Sequence, residues 1–363
     1  MAERSRFSFW LKGEGPNPDV VLSSRLRLAR NLEGYPFPPM ALQQVREKVA
    51  QLVEQAVTQN ENLKHLVRIS ISAIPSLDRQ VLVETHLISP QYAEGAPGQL
   101  FLVEDDGPIS IMVNEEDHLR IQCIVPGLDL ERGWERITQI DDEFESNLDF
   151  AYQEQWGFLT ACPTNVGTGL RASTLVHLPA LVITNLLQKV LHAVGQLGLA
   201  VRGLYGEGTE SQGHFFQLSN QLTLGTSEEE IIERVKNVTT QVITQENNAR
   251  DAIKKAHFHQ IADRAWRSYG VLIAARIISS NEAMEHLSMV RLGITMGILP
   301  PLPLSALNEL LIGLKPAYLQ WAFGEELDTN QRDIMRATVI RQTLQSPFES
   351  NDDKQSDASQ ESS

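Results

Sequence analysis

Two cysteines in 363 residues, Cys123 and Cys162, are too few for a disulfide framework and do not have a zinc-site spacing. The N-terminal MAERSRFSFWLKGEGP lacks the apolar core of a signal peptide. The most apolar helical stretch, VLIAARIIS, is short and interrupted by Arg276, which excludes it as a membrane span. A cytoplasmic location and no membrane partner are therefore expected. Basic residues are in deficit, 31 Lys and Arg against 46 Asp and Glu, for a formal charge of −15. Such a surface repels phosphate backbones, so direct nucleic-acid binding is not expected, and it attracts basic partners. Simple solubility is the plainer account of the acidity. There is no GxxxxGK[ST] phosphate loop, no HExxH and no internal repeat. One GxGxxA match, Gly167-Thr-Gly169-Leu-Arg-Ala172, lacks a parallel βαβ unit and a later ribose-binding acid, so it is not read as a dinucleotide site.

What is present divides into two regions. The first mixes strand and helix signals. A helix is expected over about 42–58, with Val45, Val49, Leu52, Val53 and Ala56 on one face. The runs HLVRISISAI, RQVLVETHLI, ISIMVN and LRIQCIVP read as strands. An acidic helix follows around 137–152, then WGFLTAC as a strand, LPALVITNLLQKVLHAV as one helix, and LAVRGLYGE and GHFFQLSN as strands. Ser227-Glu-Glu-Glu230 has the form of a capping box opening a helix. From about residue 248 strand signals cease, and helices are expected near 249–268, 271–279, 281–292, 305–314 and 329–344. The fold class is α+β: a mainly antiparallel sheet flanked by helices, then an all-helical domain. The expected divisions are 1–247, 248–345 and a disordered acidic tail, 346–363.

The informative residues are arginines and carboxylates. Arg25 and Arg27 alternate in VVLSSRLRLARN, as strand neighbours on one face. Arg120 ends NEEDHLR, Arg171 lies in the glycine-rich CPTNVGTGLRAS, and Arg202 lies between LGLAV and GLYGEGTES. Singly, each is explained as a surface ion-pair residue. Together they flank apolar strands or glycine loops, where sites gather, and arginine suits bidentate phosphate contact. Glu115, Glu116 and Asp117 are consecutive, with Glu207 and Glu210 in GEGTES. Adjacent like charges call for a positive partner or a ligand, although a solvated turn tolerates them.

SSRLRLARN, NEEDHLR, CPTNVGTGLRAS and RGLYGEGTES resemble, in order, the motifs of the phosphagen (guanidino) kinase family. That resemblance implies transfer of the γ-phosphoryl of ATP, bound with Mg²⁺, to a guanidinium nitrogen. It implies an ATP site made of Ser23, Ser24, Arg25, Leu26, Arg27, His86, Arg120, Arg171, Ala172, Ser173, Thr174, Leu175, Arg202, Gly203, Leu204, Tyr205 and Gly206. It implies Glu116 and Glu207 as catalytic carboxylates and Cys162 as a substrate-side catalytic cysteine. The residue types suit that chemistry. A guanidinium, with a pKa of about 13, is protonated and a poor nucleophile, and carboxylates can align it and accept its proton. Without the resemblance, Cys162 reads equally as a small apolar residue and His86 as a satisfied sheet histidine.

Metabolic members carry an N-terminal helical domain before the SSRxR stretch, which here begins at Ser23, and they lack the C-terminal helices. Both departures resemble the bacterial protein-arginine kinases within the family. They imply an open site that admits an arginine carried on a protein. Arg332-Asp333-Ile-Met-Arg336-Ala337 resembles that group's phosphoarginine-docking motif, with Arg332 and Arg336 sharing a helix face; an exposed helix with an Asp333–Arg336 pair is the plain alternative. The implied partners are protein substrates with exposed arginines, such as a basic DNA-binding repressor, and Clp ATPase or adaptor components in a stress response, with the chain acting as a homodimer. A kinase of free arginine and a non-catalytic phosphoarginine-binding adaptor are the alternatives.

Overall fold

The computed structural model describes residues 9–203 and 211–358, with side chains up to residue 345. Its elements in chain order are β1 (Val21–Arg30), α1 (Gln43–Gln59), β2 (Val67–Ser70), α2 (Ser76–Glu84), β3 (Leu100–Val103), β4 (Ile109–Val113), β5 (Leu119–Pro126), α3 (Leu130–Glu145), β6 (Tyr152–Gln153), β7 (Gly157–Phe158), β8 (Leu170–His177), α4 (Pro179–Ile183), α5 (Leu187–Gln196), β9 (Leu199–Gly203), β10 (Phe215–Asn220), α6 (Glu228–Ala256), α7 (Phe258–Ala274), α8 (Ser280–Thr295), α9 (Leu304–Gly313), α10 (Pro316–Phe323) and α11 (Thr329–Ala358).

Eight strands form one antiparallel sheet in the order β2-β3-β4-β5-β1-β8-β10-β9, while β6 and β7 make a separate hairpin. Strand alternation gives the sheet two unlike faces. Leu26, Leu28, Ile121, Cys123, Ala172, Val176 and Leu218 turn to one side and share a core with α1, α3, α4, α5 and α6. On that side Arg30 is bonded to Asp141 of α3 at 2.7 Å and lies 3.5 Å over the Phe158 ring. The opposite face is apolar only at its flanks, in clusters around Phe101, Met112 and Tyr92 and around Leu22, Ile124 and Phe215. Its centre is polar.

The antiparallel sheet and the C-terminal helices are as expected. Ser227 caps α6 by a capping box with Glu230. α6 runs through residues 247–248 without a break, and Ala249, Ile253, Met289 and Leu292 join the sheet's core. α7, α8, α9 and α11 close a second cluster around Leu287, Leu307 and Ile340.

Several elements differ. RQVLVETHLI is not a strand: residues 76–84 form α2, which buries the adjacent Val81 and Leu82 instead of an alternating set. The acidic helix is α3, starting seven residues earlier than expected, and Ala151 is drawn into pairing with Asn31. Only Gly157–Phe158 of WGFLTAC is strand, because the Asn31 and Asp117 side chains take the Leu159 carbonyl and the Ala161 amide that a ladder would use. LPALVITNLLQKVLHAV divides into α4 and α5 at Asn185, whose left-handed backbone (φ 57°) asparagine tolerates. LRASTLVH is the central strand β8, and Arg171 belongs to it and not to a loop. The helix expected over 249–268 breaks at His257, α7 takes the first part of 271–279, and α10 adds a helix where none is expected. α11 continues to Ala358, into the segment expected to be disordered.

Candidate active site

Register brings the arginines together. Arg27 of β1 is directly opposite Gln122 of β5 and Arg171 of β8, while Arg25 is opposite Ile124 and Ser173. Arg120 follows one step along β5, opposite Ala29, and Arg202 of β9 is opposite Gln217 of β10. All five guanidinium groups, with Glu116, Asp117, Cys162, Thr164, Asn165 and Ser219, line one open cavity of about 270 Å³. Thr164, Asn165, Gln217 and Ser219 were not anticipated as lining residues. Gln217 and Ser219 were legible as the polar positions of the alternating GHFFQLSN run.

Like charges directly across a strand pair repel. Burial, then Arg25, Arg120 and Arg171, lower the Arg27 pKa well below its usual value, and its Nε has no hydrogen-bond partner among the described residues. Burial, with Arg120 and Arg171, brings Arg25 down to about 10. Arg171 is lowered by burial, Arg202 and Arg120, partly offset by Cys162. A sheet that lines one cavity with five cations is prepared for a polyanion.

The three adjacent acids have separate tasks. Both Glu115 oxygens accept from Arg120 Nη1 at 2.8 Å, and Ser89 Oγ donates to Glu115 at 2.6 Å. Burial would raise the Glu115 carboxyl, but Arg120 and these hydrogen bonds outweigh it and hold the group below the usual range. Asp117 accepts from Asn31 Nδ2 at 2.6 Å and from the Ala161 amide at 2.7 Å, tying the cavity-lining segment to the residue that follows β1. The Glu116 carboxylate makes no hydrogen bond to a described residue and opens on the cavity. Burial, then Asp117 and Glu115, raise its pKa, as suits a base that must accept a proton. His118 is structural: its Nδ1 accepts from the Leu32 amide at 3.0 Å, so Nε2 carries the proton toward the Pro36 carbonyl, and burial lowers the ring to about 4.

A smaller recess of about 30 Å³ adjoins at Arg25, lined by Trp10, Ser23, His86, Ile124, Ser173, Leu175 and Gln217. His86 has a left-handed backbone (φ 64°), lies 5.8 Å from the Trp10 ring, and is kept neutral by burial, which lowers it to about 3. Of the residues expected to bind ATP, Ser23, Arg25, Arg27, His86, Arg120, Arg171, Ser173, Leu175 and Arg202 share this face. Ser24, Leu26, Ala172 and Thr174 do not. Ser24 Oγ donates to the Gly127 carbonyl at 2.8 Å, Leu26 and Ala172 are in the core, and Thr174 bonds Thr239 at 2.9 Å. Their odd-even alternation with the arginines turns them behind the sheet. Gly203 ends β9 opposite Phe216. Leu204, Tyr205, Gly206, Glu207 and Glu210 lie outside the described residues. The half-buried Cys162 is 3.0 Å from Thr164 Oγ1, at the cavity wall. Among the described residues no group of three or more His, Cys, Asp or Glu could hold a metal ion. No helix among them is long and apolar enough to cross a membrane.

The Arg332–Ala337 stretch expected to dock phosphoarginine is on α11, but its arginines are hydrogen-bonded within the protein. Arg336 is 2% exposed, and it donates to the carbonyls of Leu314 at 3.0 Å and Ile278 at 2.9 Å as well as to Asp333. Ala337 is in the core, and Arg332 Nη1 donates to the Leu327 carbonyl at 2.6 Å. Arg336 therefore does not share an open face with Arg332. Arg336→Ala is expected to cost about 2–4 kcal/mol in chemical denaturation, because it orphans buried carbonyls and the Asp333 carboxylate. A loss under 1 kcal/mol would show that these bonds are dispensable.

Two family models match the chain: the C-terminal catalytic domain of the ATP:guanido phosphotransferases over residues 45–249, and the protein-arginine kinase McsB C-terminal domain over residues 258–357. A protein-arginine kinase of Desulforamulus reducens is 49% identical over 94% of this chain and 96% of its own length. One of Halothermothrix orenii is 49% identical over 93% and 96% respectively. Among solved structures, the duplicated taurocyamine kinase of Schistosoma mansoni with bound transition state analog components superposes with TM-score 0.58 at 25% identity, covering 68% of this chain and 36% of that one. Lombricine kinase, with TM-score 0.55 at 23% identity over 63% of this chain and 66% of its own, shares the fold.

Proposed function

The chain belongs to the protein-arginine kinases, whose catalytic domain is that of the ATP:guanido phosphotransferases, and from that membership we propose how its cleft works. ATP enters as its Mg²⁺ complex, with the metal carried on the phosphates. Arg25, Arg27, Arg120, Arg171 and Arg202 surround the triphosphate, and the base lies toward the recess of Trp10, Ser23, His86, Ser173 and Leu175. The target guanidinium approaches from the Glu116 and Cys162 side, with Glu207 as the second carboxylate. A guanidinium nitrogen forms a bond to the γ-phosphorus as the bond to the ADP oxygen breaks. The nitrogen's proton passes to Glu116. Little covalent help is needed beyond positioning and positive charge.

The observation that carries this reading is the division of labour in the acidic turn. Glu115 and Asp117 are committed to protein partners, whereas the Glu116 carboxylate opens on a cavity that five arginines also line. The wider setting, a homodimer in the cytoplasm acting with Clp ATPase components under stress, and phosphoarginine docking through Arg332 and Asp333, rest on the family resemblance alone.

The test is incubation with γ-labelled ATP and Mg²⁺, offering an arginine-rich protein and free arginine separately. Acid-labile label is expected on the protein. Label only on free arginine would favour a metabolic kinase, and none on either would favour a binding adaptor.

A further inference from the structure

The walls of the cleft are continuous with an apolar rim. The cavity-lining segment 162–167 is held between the β6–β7 hairpin and residues 222–224. On one side Phe158 and Gly167 exchange backbone hydrogen bonds of 2.8 and 3.3 Å, and a Cβ on Gly157 would fall 2.5 Å from the Gly167 carbonyl oxygen. On the other side Thr223 is buried. Its Oγ1 donates to the carbonyls of Thr164 and Val166 at 2.8 Å, and its own carbonyl accepts from the Thr168 amide at 3.1 Å. This anchorage leaves large apolar side chains in water on both sides: Tyr152 is 57% and Trp156 45% exposed on the hairpin, and Leu222 is 61% and Leu224 48% exposed beside Thr223. Single exposed apolar residues are ordinary, but several gathered at the mouth of one cleft mark an interaction surface.

The two chain stretches that build this rim carry acidic residues and no basic ones. The sequence has no Lys or Arg between Arg136 and Arg171, and none between Arg202 and Arg234, while Asp149 and Glu154 stand exposed beside the hairpin.

We propose that this rim docks the polypeptide on either side of the target arginine, and that it selects extended segments in which large apolar side chains flank that arginine. The proposal rests on the kinase reading and deepens it by naming the substrate class. The arginine enters the cleft beside Glu116, and its neighbours cover Trp156 on one side and Leu222 and Leu224 on the other. A folded surface seldom offers apolar neighbours to an arginine, whereas an unfolded or partly unfolded segment does.

The test uses the full chain and two labelled peptides of about ten residues. Each has one arginine, flanked in one by Leu and Phe and in the other by Ser and Gly. Anisotropy without nucleotide reads binding, and initial rates with Mg²⁺ and ATP read transfer. Half-covering one or two large apolar side chains predicts about tenfold tighter binding of the apolar-flanked peptide, and a similar ratio in kcat/KM, expressed through KM. In the double variant Trp156→Ser, Leu224→Ser, both ratios are expected to fall to about twofold or less, with an unchanged melting temperature. Equal binding of the two peptides by the wild-type chain, or a tenfold preference that survives in the variant, would overturn the proposal. So would a variant that alters only the mass measured by light scattering, which would assign the rim to a second copy of the chain. Preferential binding with no transfer to either peptide would sink the kinase reading and leave the docking surface standing.

Discussion

Glu116→Gln is expected to slow phosphoryl transfer to a protein arginine by about 10²–10⁴-fold, the usual contribution of a positioned acid–base group, while ATP still binds. Glutamine keeps the size and one acceptor oxygen but can neither take the proton nor balance the guanidinium charge. The electrostatics fix the pH dependence. Burial, then Asp117 and Glu115, raise the Glu116 pKa, so the acid limb of the rate profile should lie above the ordinary glutamate range and vanish in the variant. A carboxyl whose pKa is raised on folding binds its proton more tightly in the folded chain. Its ionisation therefore costs stability as pH rises through the unfolded and then the folded pKa, and above both that cost is complete. Removing the charge relieves it, so the melting temperature at neutral pH should hold or rise slightly. A drop of several degrees would mean that Glu116 is structural, and a rate within a few-fold of wild type would take it out of the chemistry. Glu115→Gln provides the contrast. It frees Arg120 from its carboxylate, which predicts a disordered phosphate contact and not a lost base.

The arginine face was legible because it obeys a period of two. Arg25 and Arg27 are separated by one core leucine, and a strand must send all three to alternate sides. The same rule identifies which neighbours do not belong. Leu26, Ala172 and Thr174 carry the family motif but face the helices, so their part is to place the arginines and not to touch a nucleotide. β8 was hidden for a chemical reason: Arg171-Ala-Ser-Thr lacks the branched apolar residues that announce a strand, and what holds it central is pairing to β1 and β10. α2 resembles a strand in sequence because Val81 and Val83 alternate, yet the chain buries the neighbours Val81 and Leu82. The roles within NEEDHLR were beyond sequence alone. Which of three adjacent acids stays free depends on Ser89, Asn31 and Ala161, all remote in the chain. Arg336 shows the same limit, since i, i+4 spacing puts it on the face of Arg332 while Leu314 and Ile278 decide that this face is buried.

Arg27→Met should divide function from stability more sharply than any other change at the site. It removes one of the donors proposed to surround the transferring phosphoryl group, for which the expected loss is about 10²–10³ in rate. Yet the substrate-free protein should become more stable. Arg27 stands directly across the strand pair from Arg171, its Nε has no partner among the described residues, and its charged form is disfavoured first by burial and then by Arg25, Arg120 and Arg171. A base whose pKa is lowered on folding binds its proton less tightly in the folded chain. The penalty is complete while the folded group is protonated, and it is relieved only as pH rises through the folded pKa. Methionine keeps the apolar stem and deletes the charge; relief of one cross-strand like-charge contact is on the order of 0.2–1 kcal/mol. A ligand that binds only the folded state stabilises it in proportion to the logarithm of its saturation. Mg-ATP should therefore raise the wild-type melting temperature strongly and that of the variant weakly, so the two proteins exchange rank when nucleotide is added. Thermal melts with and without Mg-ATP read this directly. A variant less stable than wild type in both conditions would make Arg27 a structural member of the sheet, and a retained nucleotide-induced shift would remove it from the phosphate site.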